Sequence, residues 1–425
     1  MSEIKIAYIL SKFPVFTETF IIREIREIRR RGIDVEVFSL KSADGDKSKH
    51  AEAEELRAGT HYIPFFLSAE VWASVLYYLC ARPGKTLGML GKIIGRNISS
   101  PMTLLKSLAV MPKAMTIARR LRKMGIDKIH CHWATVPATA SWIVSALNDA
   151  EFTFTTHAWD IFKADNMLEQ KMAASSGVRT ISAFNKQYLL EKYPGISPDK
   201  ISVIHIGIDV GRFVPHDRSG HKGFVILSIG RLVETKGFQF LLQACDILRK
   251  RNIDFFCRII YVSDAYDDEI FALHNKLGLR GAVELISEVP QEKILDYYDS
   301  SDCLALPCIV DKSGDRDGIP TVILEAMATE MPVISTEVSG IPEVVINDLS
   351  GVLIAPGSST KLADALETLH RDPALRVRLG KKGREIVLDE FEISRSVDLL
   401  LGIILRDDAR AVSEYAAKKE NSALS

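Results

Sequence analysis

No two of the six cysteines, Cys80, Cys131, Cys245, Cys257, Cys303 and Cys308, form a CxxC pair, so neither a zinc knuckle nor a thioredoxin-type redox motif is present. Several lie inside apolar runs, and the six read as reduced core residues of a cytoplasmic protein. No G-x-G-x-x-G follows a first strand and no Walker A sequence occurs, which argues against a nicotinamide cofactor and a P-loop site. No apolar run approaches the ~18 residues that a membrane span needs. The start, MSEIKIAYIL, sets Glu3 and Lys5 before a strand-like segment and lacks the long apolar core of a secretory signal. No His, Cys and Asp group has metal-site spacing, and His130-Cys131-His132 alternates faces on a strand, where packing is a simpler reading than ligation.

One absence is local. From Val71 to Ile126 there is no Asp or Glu, while Arg82, Lys85, Lys92, Arg96, Lys106, Lys113, Arg119, Arg120, Arg122 and Lys123 contribute ten positive charges. Trp72, Leu76, Tyr77, Tyr78, Leu87, Met89, Leu90, Ile93, Ile94, Leu104 and Leu105 are interleaved with them. A basic, aromatic stretch too short to span suggests docking on an anionic membrane surface. A solvated basic face on ordinary core helices is the other reading. Nucleic acid is poorly supported by basicity this local in a chain of pI ≈ 6.8.

What is present is a globular composition, 47% hydrophobic and 26% charged over 425 residues, with room for two or three domains. Strand-like runs at 4–9, 35–40, 128–133, 152–157, 179–184 and 201–207 form one series. A second runs 224–230, 256–262, 283–287, 303–308, 332–336 and 351–355, separated by helical patterns near 236–251, 290–299, 321–329 and 358–370. The clearest helix of the first series, Thr17 to Arg31, sets Ile21, Ile25 and Ile28 on one face, with Thr17 or Thr19 as cap and Gly32 as stop. Near-continuous apolar strands with helices between them predict α/β architecture, two doubly wound Rossmann-like parallel sheets facing across a cleft. The polar stretch Val210 to Lys222 reads as the linker between a first domain at 1–215 and a second at 222–395. Residues 396–425 are expected to form a helix and polar tail that pack back on the first domain.

Asp317 to Glu325, Asp-Gly-Ile-Pro-Thr-Val-Ile-Leu-Glu, sets two carboxylates around a Gly-Pro turn and a helix start, Glu325 about two helical turns in. Backbone N–H groups at a helix N-terminus suit an anion, and ionised carboxylates accept from vicinal hydroxyls. The same pattern also occurs as a plain surface turn. Gly230-Arg231-Leu232-Val233-Glu234-Thr235-Lys236-Gly237 sets two cations at a strand's carboxyl end, where a diphosphate needs positive charge.

These two segments, continued by Ala326-Met327-Ala328, Pro332-Val333-Ile334 and Ser339-Gly340-Ile341-Pro342-Glu343, resemble the second domain of retaining glycosyltransferases of family four, which have the GT-B fold. Ser11-Lys12-Phe13-Pro14, Thr17-Glu18-Thr19-Phe20, His132-Trp133 and Thr156-His157-Ala158-Trp159-Asp160 are similar to members that build exopolysaccharides of the colanic acid type. The resemblance implies that Arg231 and Lys236, beside Gly230, bind a donor diphosphate and that Glu325 holds its ribose. Asp317 stands where the family usually has Glu and would contact the sugar. N–H groups of Gly318, Ile319 and Thr321 would cradle it, whereas Pro320 cannot donate. Base recognition would fall near Glu288 and Val289. His157 would line the reaction centre and donate to the sugar, with Thr17, Glu18, Thr19 and Asp160 on the acceptor side. His157 as a core histidine and Glu18 as a helix-dipole partner are the plain alternatives. Also implied are a nucleotide-sugar co-substrate, UDP before GDP, no metal, retention of configuration, and a lipid-linked oligosaccharide acceptor at the inner face of the plasma membrane. An epimerase or hydrolase on the same scaffold, or a non-catalytic assembly partner, is the competing expectation.

Overall fold

The computed structural model describes residues 4–15, 18–42, 51–64, 68–163, 167–216, 223–287, 289–290 and 293–406. The chain divides into two compact units, Met1–Ile181 with Lys186–Ile204 and Ser394–Ser425, and Ser182–Asn185 with His205–Ile393. The divide thus falls at Ile204 and His205, ahead of the polar stretch Val210 to Lys222.

In the first unit the strands are β1 (Lys5–Lys12), β2 (Asp34–Lys41), β3 (Thr60–Tyr62), β4 (Lys128–His132), β5 (Glu151–Thr156), β6 (Gly177–Thr180) and β7 (Ile201–Val203), in the order β3-β2-β1-β4-β5-β6-β7. Every pairing is parallel. β4 is buried along its whole length, as expected of a central strand covered on both faces. β3 escaped the sequence reading because three residues are too few to show a period.

Between β1 and β2 the helix Thr19–Arg30 buries Ile21, Ile25 and Ile28, and Glu24 with them. The capping expected of Thr19 does not occur. Glu18 occupies the cap position without a side-chain cap bond and Thr19 is already helical, while Thr17 lies outside the described residues. Gly32, at φ 72°, follows the helix end, a left-handed conformation that suits glycine. The helix Ile393–Ile404 belongs to this unit. Arg31 reaches Asp398 at 2.8 Å and the Ser394 carbonyl at 2.7 Å, and Arg179 reaches Ser396 Oγ at 3.1 Å. The polar tail from 407 onward lies outside the described residues.

The second unit is a parallel sheet of β8 (Val225–Arg231), β9 (Phe256–Val262), β10 (Val283–Ser287), β11 (Cys303–Ala305), β12 (Val333–Thr336) and β13 (Val352–Ile354), ordered β10-β9-β8-β11-β12-β13. Both sheets are doubly wound, with the first strand of each near the middle. The helix Asp267–Leu277 had not been expected. It buries only Ile270 fully, so its apolar period is faint, yet Asp267, Asp268 and Glu269 in its first turn favour the dipole.

Candidate active site

The loop after β8 turns through Glu234–Lys236 into the helix Phe238–Lys250. Gly237 makes that turn possible, because at φ 71° a Cβ would stand 1.8 Å from the Pro307 carbonyl oxygen. The turn brings Lys236 Nζ to 3.0 Å from Asp317 Oδ1 across 81 residues of sequence. Their side chains are 12% and 22% exposed, so the pair is partly shielded yet reachable. The stem of Lys236 lies along Gly230, where an added Cβ would meet it at 3.3 Å. Arg231 is not part of this pair. It reaches Asp264 at 3.0 Å from an exposed position.

Asp317 Oδ2 also lies 3.6 Å from Cys308 Sγ. Burial, with the Asp317 charge next, pushes the Cys308 thiol well up and keeps it protonated. Asp311 and Asp315 are otherwise engaged: Asp311 Oδ1 accepts from the Ser313 and Asp315 N–H groups, and Asp315 Oδ1 accepts from the Arg316 N–H. That leaves Asp317 as the carboxylate facing Lys236. Gly318, Ile319 and Pro320 are buried, and Pro320 is the cap of the helix Thr321–Ala328. Glu325 is the fifth helical residue, a little over one turn in rather than two. It is 7% exposed and accepts from the Tyr298 hydroxyl at 3.1 Å. Val289 is half-buried, and Glu288 lies outside the described residues.

In the first unit, His157 follows β5 and is 4% exposed. Asp160 binds the ends of two strands together, its Oδ1 accepting from the His157 N–H at 2.9 Å and its Oδ2 from the Ala134 N–H at 2.7 Å. Burial lifts its carboxyl to about 6 against the pull of those two N–H groups. Both of its oxygens therefore serve the loop, which places Asp160 behind His157 as a brace. Glu18 and Thr19 are half-buried at the start of the helix Thr19–Arg30.

Four residues around His157 were not expected at the site. His132 Nδ1 lies 3.1 Å from His157 Nε2, and His132 Nε2 lies 2.9 Å from Glu24 Oε1. Tyr8 Oη also donates to Glu24 Oε1 at 2.9 Å, and the Arg179 guanidinium donates to Oε2. Burial works to raise the Glu24 carboxyl, but His132 and Arg179 outweigh it and hold it well below the usual carboxylate range. Burial, with His132 second, lowers both His130 and His157 and keeps them neutral. Glu24, His130 and His132 bring potential ligand atoms within 4.8 Å of one another. A cation does not fit there. The ring nitrogens of His130 lie 2.8 and 3.0 Å from the hydroxyls of Thr153 and Thr155, and Glu24 already neutralises a guanidinium. The signals in the sequence were the His132-Trp133 motif and an acid three positions after Ile21 and four before Ile28, on an apolar stripe.

The acid-free segment forms three helices, Ala69–Ala81, Pro83–Asn97 and Pro101–Met124. Tyr78, Met89 and Ile93 turn inward, whereas Trp72, Leu76, Leu87, Ile98, Met102 and Leu105 are each more than half exposed. Arg82 and Lys85 pair with Asp149, and Arg120 pairs with Glu70 at 2.7 Å. Lys92, Arg96 and Lys106 are exposed. Among the described residues no helix is long and apolar enough to cross a membrane. Cys80 is exposed, an exception to the reading of all six cysteines as core.

Comparison with known proteins bears on the family and the fold. Residues 17–212 match the family model Glycosyltransferase Family 4, and residues 214–386 match Glycosyl transferases group 1. The amylovoran biosynthesis glycosyltransferase AmsK of Erwinia amylovora is 28% identical over 91% of this chain and 96% of its own. WcaL of Escherichia coli K12, provisionally named a colanic acid biosynthesis glycosyltransferase, is 25% identical over 93% and 99%. Among solved structures, a glycosyltransferase of Rickettsia africae covers 96% of this chain and all of its own, with a TM-score of 0.71 at 18% identity. Anabaena HepE, solved in complex with UDP-glucose, covers 94% of this chain with a TM-score of 0.68 at 17% identity. With two adjoining glycosyltransferase models taking in nearly the whole sequence, and two doubly wound sheets beneath them, the chain belongs to the family-four glycosyltransferases and has their α/β GT-B fold.

Proposed function

We propose that this glycosyltransferase moves a hexose from a nucleoside-diphosphate donor, a UDP-sugar before a GDP-sugar, to a lipid-linked oligosaccharide in bacterial exopolysaccharide synthesis, with retention of configuration and without a metal ion. The observation that carries the reading is the Lys236–Asp317 pair at the end of β8. A lysine ammonium has three N–H donors. One given to Asp317 leaves others for a diphosphate, and a fixed cation there stabilises the charge that grows on the leaving group. Asp317, with one carbon fewer than the family's usual Glu, faces the sugar. Glu325, oriented by Tyr298, holds the ribose, and Arg231 reaches the diphosphate by leaving its exposed partner Asp264. His157 serves the reacting groups from the first unit. AmsK and WcaL, named for amylovoran and colanic acid biosynthesis, support the exopolysaccharide assignment, and the HepE complex supports UDP as carrier.

Purified protein with UDP-, GDP- and ADP-sugars and membrane extract as acceptor source should release nucleotide. Lys236→Ala and Glu325→Ala should abolish that release, and two fully active variants would defeat the site assignment. Epimer formed without acceptor would favour the epimerase reading instead, and absence of any nucleotide binding by calorimetry the non-catalytic one.

The acceptor's lipid fits the helical layer at 69–124. Apolar side chains more than half exposed, next to Lys92, Arg96 and Lys106, suit the anionic inner face of the plasma membrane. Sedimentation with anionic vesicles should carry the protein down, and equal weak binding to neutral vesicles would remove this part of the reading.

A further inference from the structure

In the motif Thr156-His157-Ala158-Trp159-Asp160 only the tryptophan is turned outward. Thr156, His157, Ala158 and Asp160 are 0%, 4%, 8% and 1% exposed, whereas Trp159 is 47% exposed. Its ring has no hydrogen-bonding or aromatic partner among the described residues. Tryptophan is highly buried on average, so one this open, two residues after His157, calls for an occupant.

The backbone beneath it is fixed. Asp160 Oδ1 accepts from the His157 N–H at 2.9 Å and closes the turn that carries Trp159. The Ala158 carbonyl accepts from the Ile161 and Phe162 N–H groups at 3.0 and 2.9 Å. Ile161 is fully buried, and the Phe162 ring meets Tyr188 edge-on at 4.7 Å. An open side chain on a rigid turn is a preorganised contact, because little backbone freedom is lost when a ligand covers it.

The turn follows β5, and ligands of doubly wound sheets bind beyond the carboxyl ends of the strands. The helix Pro101–Met124 ends at Gly125 and leads into the start of β4, so its own first turns lie toward that carboxyl end. Asn97, which closes the helix before it, agrees: its Nδ2 lies 3.0 Å from Met167 Sδ, in the segment that follows the Trp159 turn. The exposed Ile98, Met102 and Leu105, with the exposed cations Arg96 and Lys106, therefore lie at the end of the unit where Trp159 stands.

We propose that Trp159 is the platform on which a sugar ring of the acceptor stacks beside His157, with the acceptor's phosphate toward Arg96 and Lys106 and its lipid along Ile98, Met102 and Leu105. This rests on the reading of the chain as a transferase that uses a lipid-linked oligosaccharide. A pyranose carries its hydroxyls around the rim and presents C–H groups on its faces. A flat indole covers that apolar area and leaves the hydroxyls to polar groups, with its own N–H as one donor. Such a contact holds ground state and transition state alike, so its loss is read in KM and not in kcat.

Three variants of the full chain test this with membrane extract as acceptor source. Trp159→Ala and Trp159→Leu should raise the extract concentration for half-maximal transfer about tenfold, with KM for the donor and the rate at saturating extract close to wild type. Trp159→Tyr, flat but smaller, should recover most of that loss. Leucine is favourable in a bilayer, so a Trp159→Leu chain that matches wild type would make Trp159 a membrane anchor and overturn the proposal. Loss of sedimentation with anionic vesicles in Trp159→Ala would overturn it in the same way. An unchanged half-maximal extract concentration in Trp159→Ala, or an unfolding midpoint lowered enough to explain the loss, would do so too. Saturation-transfer NMR with oligosaccharides released from the same extract by mild acid is independent of turnover. Sugar C–H signals should appear with wild type and fall several-fold with Trp159→Ala, and equal signals, or none with wild type, refute the stacking. If wild type transfers no sugar from any donor, the transferase reading fails, and the spectra alone decide whether a sugar rests on Trp159.

Discussion

The two units handle charge in opposite ways. Around His157, Glu24 and Arg179 have side chains 4% and 2% exposed, and both Glu24 oxygens are engaged. After β8, Lys236 and Asp317 are 12% and 22% exposed, and Arg231 and Asp264 are 51% and 31% exposed. Saturated partners in a dry interior fix where each proton sits, because moving one would strand a charge. Half-open partners keep donors in reserve for an anion that comes and goes. The contrast is between a closed, saturated cluster in the first unit and a half-open pair in the second.

The largest effect should come from stranding a charge in the closed cluster. Glu24→Leu leaves the Arg179 guanidinium buried without its carboxylate, which should cost about 3–5 kcal/mol of stability. Adding Arg179→Met should recover most of that loss. Urea unfolding of the single and double variants measures both. If the single variant loses less than about 1 kcal/mol, the cluster is wetter than it looks and the contrast collapses.

Next in size is a pH effect at the brace of the same unit. The folded Asp160 carboxyl, lifted to about 6 by burial, lies above the ordinary unfolded value near 4. Between those values the folded chain keeps a proton that the unfolded chain has released, so this carboxyl's contribution to stability falls as pH rises through the window. Asp160→Asn cannot titrate. Wild type should therefore lose stability relative to the variant from about pH 4 to about pH 6, by up to about 3 kcal/mol. Glu24 has the reverse sign. Its folded carboxyl is depressed, so its stabilisation is present above the unfolded value near 4.3 and is lost as pH falls. Unfolding midpoints across that range separate the two, and parallel curves for wild type and Asp160→Asn would contradict the burial of Asp160.

The two units were also legible to different degrees. Gly230 near the end of β8, Lys236 in the turn after it, and Asp317 and Glu325 on either side of the start of the helix Thr321–Ala328 lie in short stretches whose pattern is readable along the chain. The pairing of Lys236 with Asp317 could not be read, since it depends on β8 and β11 lying side by side. Glu24 could be noticed as an acid on an apolar stripe, but its partners come from β1, β4 and β6, and only the sheet order brings those together. The exposed stripe of the helices at 69–124 was hidden for a related reason: apolar residues recur on two faces of each helix, and only packing tells which face turns inward.

The smallest stability effect is expected at the open pair, and it sharpens the contrast most. Lys236→Met removes a cation whose partner Asp317 is 22% exposed and can turn to water. Partly exposed ion pairs contribute roughly 0–1 kcal/mol, so the unfolding midpoint should move little. Under the role proposed for Lys236 at the leaving diphosphate, nucleotide release should nevertheless collapse. Run beside Glu24→Leu in the same urea series, the variant tests whether stability and donor binding are carried by different units. A Lys236→Met chain as destabilised as Glu24→Leu would mean that the pair after β8 is part of the core, and that its charges are no more available to a ligand than those around His157.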